Sequence, residues 1–337
     1  MNPIPLVRAG HLIPFAEFLH QAGSPVERLL GEVRLPTAAL DEPDTYIPTS
    51  RVWQFVARAA HREGLDDLAL HVGRQTQAGG LGRLGTLLES SPTLLHALET
   101  FCRQCNHESS HVSFSLAQDR GALWFCHRGS FDDRVEGFDQ VHLYVLTLMT
   151  AVVRWFTGSG WQPHTARLAA NGLPMHKVRS FLPDSQWQTA GEITAIRIEP
   201  SELGLAPQTR RTACATANDG SELVDLPQPP DDFVGSLRQS LAPYLRDGAL
   251  DIALAADVIG ISVRTLQRRL AELDISYKNV LDQARFEAAL PLLGDPGVRL
   301  TDIAFDLGYS DPAHFTRAFR RMAGVSPWEY RRQQVSG

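Results

Sequence analysis

Ala256-Asp257-Val258-Ile259-Gly260-Ile261-Ser262, followed by Leu266-Gln267-Arg268-Arg269-Leu270, decides how this chain is read, because the same grammar returns further on. The second copy runs Ala304-Phe305-Asp306-Leu307-Gly308-Tyr309-Ser310, then Phe315-Thr316-Arg317-Ala318-Phe319. In each, a short helix carries an alanine where a second helix crosses closely, and a glycine permits a sharp turn. A polar residue then caps a second helix, which bears an apolar i, i+4 pair and neighbouring arginines. That is the pattern of a helix-turn-helix, written twice. Many helical hairpins share one copy. Two in tandem, each with an arginine two residues past its buried anchor, point to DNA.

The second helix of such a unit enters the major groove and reads base edges with its exposed face. If Leu266 and Leu270 face the core, Ser262, Arg264, Thr265, Gln267 and Arg268 form the groove-facing set of the first unit. If Phe315 and Phe319 are buried, Pro312, Ala313, His314, Thr316 and Arg317 form that of the second. Arginine pairs bidentately with guanine and glutamine with adenine, whereas Pro312 and Ala313 offer no side-chain hydrogen bond. The second unit is therefore expected to discriminate bases less than the first. Base contact is assigned to Arg264, Arg268 and Arg317, and a solvated face or phosphate contact to Arg269, Arg320 and Arg321.

Around these units the sequence from Asp232 onward reads as all helix: Asp232 to Arg246 leads in, and Ser276 caps a connecting helix from Tyr277 towards Leu293. Gly294-Asp295-Pro296 stops that helix, and Val325-Ser326-Pro327-Trp328-Glu329-Tyr330-Arg331 is a capped closing helix. Pro291 lies in the last turns of the connecting helix and is expected to kink it or end it early. Residues 217 to 231, with Asn218-Asp219-Gly220 and Pro227-Gln228-Pro229-Pro230, resist helix and strand and read as a linker.

Residues 1 to 216 mix helix and strand without strict alternation, which predicts an α+β domain followed by an all-α domain. Helices are expected over Ile13–Gln21, Thr49–Arg62 and Leu68–Thr76, one started by Ser91-Pro92, a long one ending near Phe156, and one led by Pro174. Strands are expected at Val112–Leu116 and Ala122–His127, joined by a turn at Gln118-Asp119-Arg120-Gly121, and at Thr165–Ala169 and Ile193–Ile198.

With 337 residues, 43% hydrophobic and 21% charged, the composition is that of a globular protein of two or three domains. The net charge is −6, but residues 232 to 337 hold 13 Lys/Arg against 13 Asp/Glu, so the acid excess lies N-terminal to them. Both presumed recognition helices carry three arginines and no acid, which focuses positive charge where DNA would sit. The longest apolar run, Val141 to Phe156, is interrupted by His142 and Arg154 and reads as a buried helix instead of a membrane span. Nothing near Met1 resembles an export signal, so a cytoplasmic protein with reduced cysteines is expected.

The last hundred or so residues resemble the DNA-binding domain of the AraC/XylS family of bacterial transcription regulators. The resemblance rests on Ser262 to Leu270, Arg285 to Ala289, Ile303-Ala304, Gly308-Tyr309-Ser310-Asp311, Phe315 to Phe319, Gly324-Val325-Ser326-Pro327 and Tyr330-Arg331. It implies two helix-turn-helix units bridged by a stiff helix, with recognition helices in successive major grooves about 34 Å apart. Gly82 to Leu94 is similar to the arabinose-binding-like sensing domain that some members carry, a label that does not fix the ligand. The resemblance implies a regulator, more specifically an activator, that binds double-stranded promoter DNA and contacts RNA polymerase. A small-molecule effector or formation of a homodimer would control it through residues 1 to 216.

Two other chemistries have partial signals in the sequence. Cys102-x-x-Cys105 with His107 and His111 has spacing that suits zinc, but Cys102 sits where a helix would pack it and no second Cys-x-x-Cys completes the ligands. No Gly-rich phosphate loop, Gly-x-Ser-x-Gly elbow or His-Glu-x-x-His is present, so neither an enzyme nor a cofactor or metal protein is expected.

Overall fold

A computed structural model describes residues 2–75, 82–119, 121–129, 135–169, 175–189, 193–208, 228–247 and 250–335. The chain forms two compact units. One comprises Val7–Thr45 and Thr49–Pro229; the other comprises Pro230–Gly337 together with Met1–Leu6 and Tyr46–Pro48. Of the linker expected over 217 to 231, residues 217–227 lie outside the described residues.

The first unit is α+β. Its helices are α1 (Ile13–Gln21), α2 (Val26–Glu32), α3 (Thr49–Glu63), α4 (Leu68–Gln75), α5 (Gly82–Ser90), α6 (Leu94–Gln104), α7 (Phe138–Thr157) and α8 (Met175–Phe181). Its strands are β1 (Val112–Asp119), β2 (Ala122–Gly129), β3 (Thr165–Leu168), β4 (Gln186–Thr189) and β5 (Thr194–Ile198), in the sheet order β1-β2-β5-β3-β4. β1 and β2 form a hairpin in the register Val112↔Gly129 to Asp119↔Ala122, and Gly121 takes the left-handed conformation the turn needs (φ +80°). Only β3 and β4 among these strands run parallel, across a connection that contains α8.

Side chains of β1 alternate between half-buried and exposed, so one sheet face is covered, and α6 and α7 pack against the sheet. α7 is almost wholly buried, with Leu143, Leu146, Met149, Val153 and Phe156 at its centre. Gly73 on α4 is where α4 and α7 come together: a Cβ there would run into the side chain of Thr147.

One expectation for this unit needs correction. α6 is capped by Thr93, whose oxygen accepts from the His96 N–H, and not by Ser91, whose hydroxyl donates to Leu87 O at the end of α5. The polar edge strand β4 carries no apolar alternation and was not foreseen, nor was α2. The start of α8 at Pro174 lies outside the described residues.

The other unit is helical: α9 (Phe233–Leu241), α10 (Ile252–Val258), α11 (Val263–Ala271), α12 (Tyr277–Gly294), α13 (Leu300–Asp306), α14 (Pro312–Ala323) and α15 (Pro327–Val335). Polar caps start most of them, each accepting a backbone N–H near the helix start: Asp232 from Gly235, Asp251 from Leu254, Ser262 from Thr265, Ser276 from Asn279 and Asp311 from Ala313. Pro291 does not end α12, which continues to Gly294; the proline sits exposed in the final turn.

Two buried histidines make the mixed unit sensitive to acid. His127 on β2 is fully buried with neither ring nitrogen hydrogen-bonded among the described residues, and His142 on α7 bonds Thr194 Oγ1 through Nδ1 at 2.9 Å. Their rings stand 5.7 Å apart. Burial pushes His127 down to about 3, aided by its proximity to His142 and His111, and burial pushes His142 down to about 4. Below the ordinary value of 6.5 the unfolded chain binds these protons first, so stability is complete above that pH and declines as pH falls towards 4. The loss should reach about 2 kcal/mol per histidine by pH 5. Thermal unfolding of His127→Leu should accordingly show a shallower fall between pH 7 and pH 5 than the parent; an unchanged slope would contradict this. Gly73→Ala should lower stability by about 1–3 kcal/mol through overpacking at Thr147, measured by urea unfolding, and a neutral result would contradict the close approach.

Candidate nucleic-acid interface

The two helix-turn-helix turns are the same structure made twice. Gly260 and Gly308 both have φ +72°, a left-handed conformation that glycine adopts without strain. Gly260 N donates to Asp257 O at 2.9 Å and Ile261 N to Ala256 O at 3.0 Å; Gly308 N donates to Phe305 O at 2.9 Å and Tyr309 N to Ala304 O at 3.0 Å. Ala256 and Ala304, which also supply these carbonyls, are buried, and their small side chains allow the second helix of each unit to approach closely.

On α11, Leu266 and Leu270 are buried while Arg264, Gln267 and Arg268 are exposed. On α14, Phe315 and Phe319 are buried while Ala313, His314, Arg317 and Arg320 are exposed and Pro312 is half-buried. Among the described residues, Arg264 and Arg317 make no ion pair, so their guanidinium donors are available to a ligand. Arg268 approaches Glu272 at 3.7 Å, an exposed i, i+4 pair of small worth.

The remaining candidates have local work. Ser262 Oγ caps α11 and lies 2.8 Å from Thr265 Oγ1, so these two hydroxyls hold the helix start. Thr316 Oγ1 donates to Pro312 O at 3.0 Å. The Arg269 guanidinium lies 5.1 Å from the centre of the Phe233 ring, and Arg321 pairs with Asp282 on α12 at 2.7 Å. α11 thus presents Arg264, Gln267 and Arg268, and α14 presents His314 and Arg317 with Arg320 nearby.

What positions both helices is a common core. Leu266 and Leu270 from the first unit, Phe315 and Phe319 from the second, and Val280, Ala289 and Leu293 of α12 belong to one buried cluster. Phe286 of α12 packs on Phe319 with ring centres 5.0 Å apart, and Tyr330 packs on Phe319 from α15 at 5.5 Å. Arg285 reaches from α12 to the second turn, donating to Gly308 O at 3.4 Å with its guanidinium 4.7 Å from the Tyr309 ring centre. Arg331 returns from α15 to donate to Leu293 O and Val298 O at 3.2 and 2.7 Å. On the side of the first unit, Tyr277 OH donates to Leu250 O at 2.9 Å. In the sequence Arg285 and Arg331 stand out only through the resemblance, and Asp282 not at all, since a charged residue that holds helices together looks there like any other.

The cluster also takes in Ile4, Leu6 and Tyr46, and the Ile4 N–H donates to the buried Ser236 Oγ at 2.8 Å. No pattern in the sequence announced this.

The cysteine motif does not gather ligands. Cys105 is buried with Sγ 3.4 Å from Cys102 O, and burial, with Cys105 nearby, pushes the Cys102 thiol up to about 12. His111 Nδ1 lies 3.1 Å from Ser109 Oγ and 3.3 Å from Thr49 Oγ1. Among the described residues no three His, Cys, Asp or Glu side chains are grouped to hold a metal, and no helix is long and apolar enough to cross a membrane.

A family model for a helix-turn-helix domain matches residues 255–333, and one for the N-terminal arabinose-binding domain of AraC transcription regulators matches residues 23–182. The chain is 32% identical over 339 residues to the HTH-type transcriptional regulator VirS of Mycobacterium tuberculosis, covering 97% of this chain and 96% of VirS. It is 36% identical over 101 residues to the HTH-type transcriptional regulator VqsM of Pseudomonas aeruginosa, and 40% identical over 81 residues to the ornithine utilization regulator of the same organism. Those two matches span 31% and 24% of the relatives' own lengths. The crystal structure of the transcriptional regulator CdpR from Pseudomonas aeruginosa aligns with 91% of this chain and 96% of its own, at 20% identity and a TM-score of 0.39. The family and these relatives are transcription regulators and not enzymes. With VirS matched along nearly its whole length and family models on both parts of the chain, this protein belongs to the AraC/XylS family of helix-turn-helix transcription regulators and carries that family's arabinose-binding-like N-terminal domain.

Proposed function

We propose that the protein binds a two-part promoter site with α11 and α14 in successive stretches of major groove and acts there as an activator through contact with RNA polymerase. In this reading residues 1 to 216 sense, residues 217 to 231 link, and residues 232 to 337 bind DNA, in the cytoplasm. The observation that carries it is the pair of capped, arginine-bearing helices whose apolar faces meet in one core while Arg264, Arg268 and Arg317 stay exposed. Arg264, Gln267 and Arg268 read base edges from α11, and His314 and Arg317 from α14, with Pro312, Ala313 and Thr316 giving apolar and positioning contacts. Ser262 and Thr265 hold the start of α11 against the duplex. Arg320 contacts phosphate, while Arg269 and Arg321, engaged with Phe233 and Asp282, contribute to phosphate contact less.

Control comes from the mixed unit, by binding of a small-molecule effector or by formation of a homodimer. Either event acts only through a difference in affinity between two states of the chain. A cavity inside this unit, walled by residues of α3, α6, α7 and β1, supports the effector route.

The full-length protein should select a defined duplex from a random pool. On that duplex Arg268→Ala should weaken binding by about 1–3 kcal/mol and relax preference at one base pair. Fluorescence anisotropy against selected and random duplexes measures this. Equal loss on both would mark Arg268 as a phosphate contact, and failure to enrich any duplex would overturn the proposal.

A further inference from the structure

Counted from the first buried anchor of each recognition helix, Leu266 in α11 and Phe315 in α14, the two carry the same residue two places on, Arg268 and Arg317. Six places on they carry opposite charges, Glu272 and Arg321. Arg321 is paired with Asp282 of α12 at 2.7 Å and brings no carboxylate to Arg317. Glu272, the residue that ends α11, stands one turn beyond Arg268 with its Oε1 3.7 Å from Arg268 Nε. Among the described residues its carboxylate has no other partner.

Helix stability does not account for this carboxylate. An acid at the C-terminal end of a helix meets the negative end of its dipole. An i, i+4 ion pair is also weaker with the cation first, as it is here. Both side chains are more than half exposed, where such a pair contributes little. Affinity for DNA does not account for it either, because a carboxylate on the face that approaches a polyanion weakens every phosphate contact.

What Glu272 does at this place is restrict Arg268. It approaches from the Nε side and leaves the two terminal nitrogens of the guanidinium, the fork that guanine O6 and N7 accept. A guanidinium already beside a carboxylate gains less from a phosphate, and the carboxylate itself repels duplexes that offer no compensating base contact. We infer that Glu272 is a positioning residue that sets the specificity of Arg268, aiming it at a guanine and lowering affinity for duplexes without one there. Arg317, with no such partner, adds binding with less choice of base. The inference rests on the base-reading role proposed above for Arg268.

Fluorescence anisotropy of full-length variants on the selected duplex, on its single-base substitutions and on random duplex tests this. Glu272→Gln should bind random duplex about threefold more tightly than the parent, while preference at the base pair read by Arg268 falls about fivefold. Glu272→Asp keeps the charge but is one methylene shorter, so it should relax the same preference and leave random binding at the parent level. In an Arg268→Ala background, Glu272→Gln should change no base preference. Affinity altered equally on selected and random duplexes by Glu272→Gln, or full preference retained in Glu272→Asp, would reduce Glu272 to a charge and overturn the inference. So would a preference that Glu272→Gln relaxes even without Arg268, since Glu272 would then read a base itself. Arg268→Ala that weakens selected and random DNA equally removes the base-reading role beneath the inference, whereas Arg268→Ala that relaxes preference beside a Glu272→Gln that does not removes the inference alone.

Discussion

Everything this protein can do at DNA depends on two leucines and two phenylalanines sharing one core. Leu266, Leu270, Phe315 and Phe319 lie in the same buried cluster, with α12 contributing Val280, Ala289 and Leu293 to it. Interiors packed to this density do not deform continuously, so the angle and separation of α11 and α14 are properties of the fold. Truncating a buried phenylalanine costs about 3–5 kcal/mol, and at Phe319 it would also loosen α12, α14 and α15 together. The polar contacts act in the same direction. Arg285 on Gly308 and Tyr309, Arg321 on Asp282, and Arg331 on Leu293 and Val298 each tie a separate element to its neighbour.

Rigidity of this kind divides the labour among the arginines. Those that hold helices together have found carboxylates, carbonyls or rings within the unit, whereas Arg264 and Arg317 stand exposed on α11 and α14 with no ion pair among the described residues, and Arg268 meets only Glu272 of its own helix. Neither α11 nor α14 carries an acidic residue, so the positive charge at those faces is not offset on the helices themselves. At the first turn Ser262 and Thr265 show how the reading surface itself is held. Their hydroxyls join each other and the backbone, so Arg264, Gln267 and Arg268 project from a helix whose first turn is fixed.

Much of this was legible in the sequence because it is local. The glycine turns, the caps at Ser262 and Ser276, and the apolar i, i+4 pairs are short-range signals, and the structure follows them closely. Pro291 is different: a proline near the end of a helix looks like a break, yet α12 runs on to Gly294. Thr93 displaced Ser91 as a cap because Ser91 was already used to end α5, a competition invisible in a local motif. β4 escaped notice because Gln186-Trp187-Gln188-Thr189 is a polar edge strand, made by its pairing with β3 and not by its own pattern. The place of Ile4 and Tyr46 in the helical unit's core, and the cavity near Trp53, come from contacts between residues far apart in sequence, and no periodicity encodes them.

The central claim is that α11 and α14 are held at a fixed spacing. Its most direct test is the affinity of the full-length protein for its selected duplex when base pairs are inserted between the two recognised segments. About 5 inserted pairs turn the second segment to the opposite face, and about 10 restore the face while moving it one helical turn away. A single shared core predicts that both insertions reduce binding to the level of random DNA. Full affinity retained on either duplex would show that the two helices move independently, and would contradict the account.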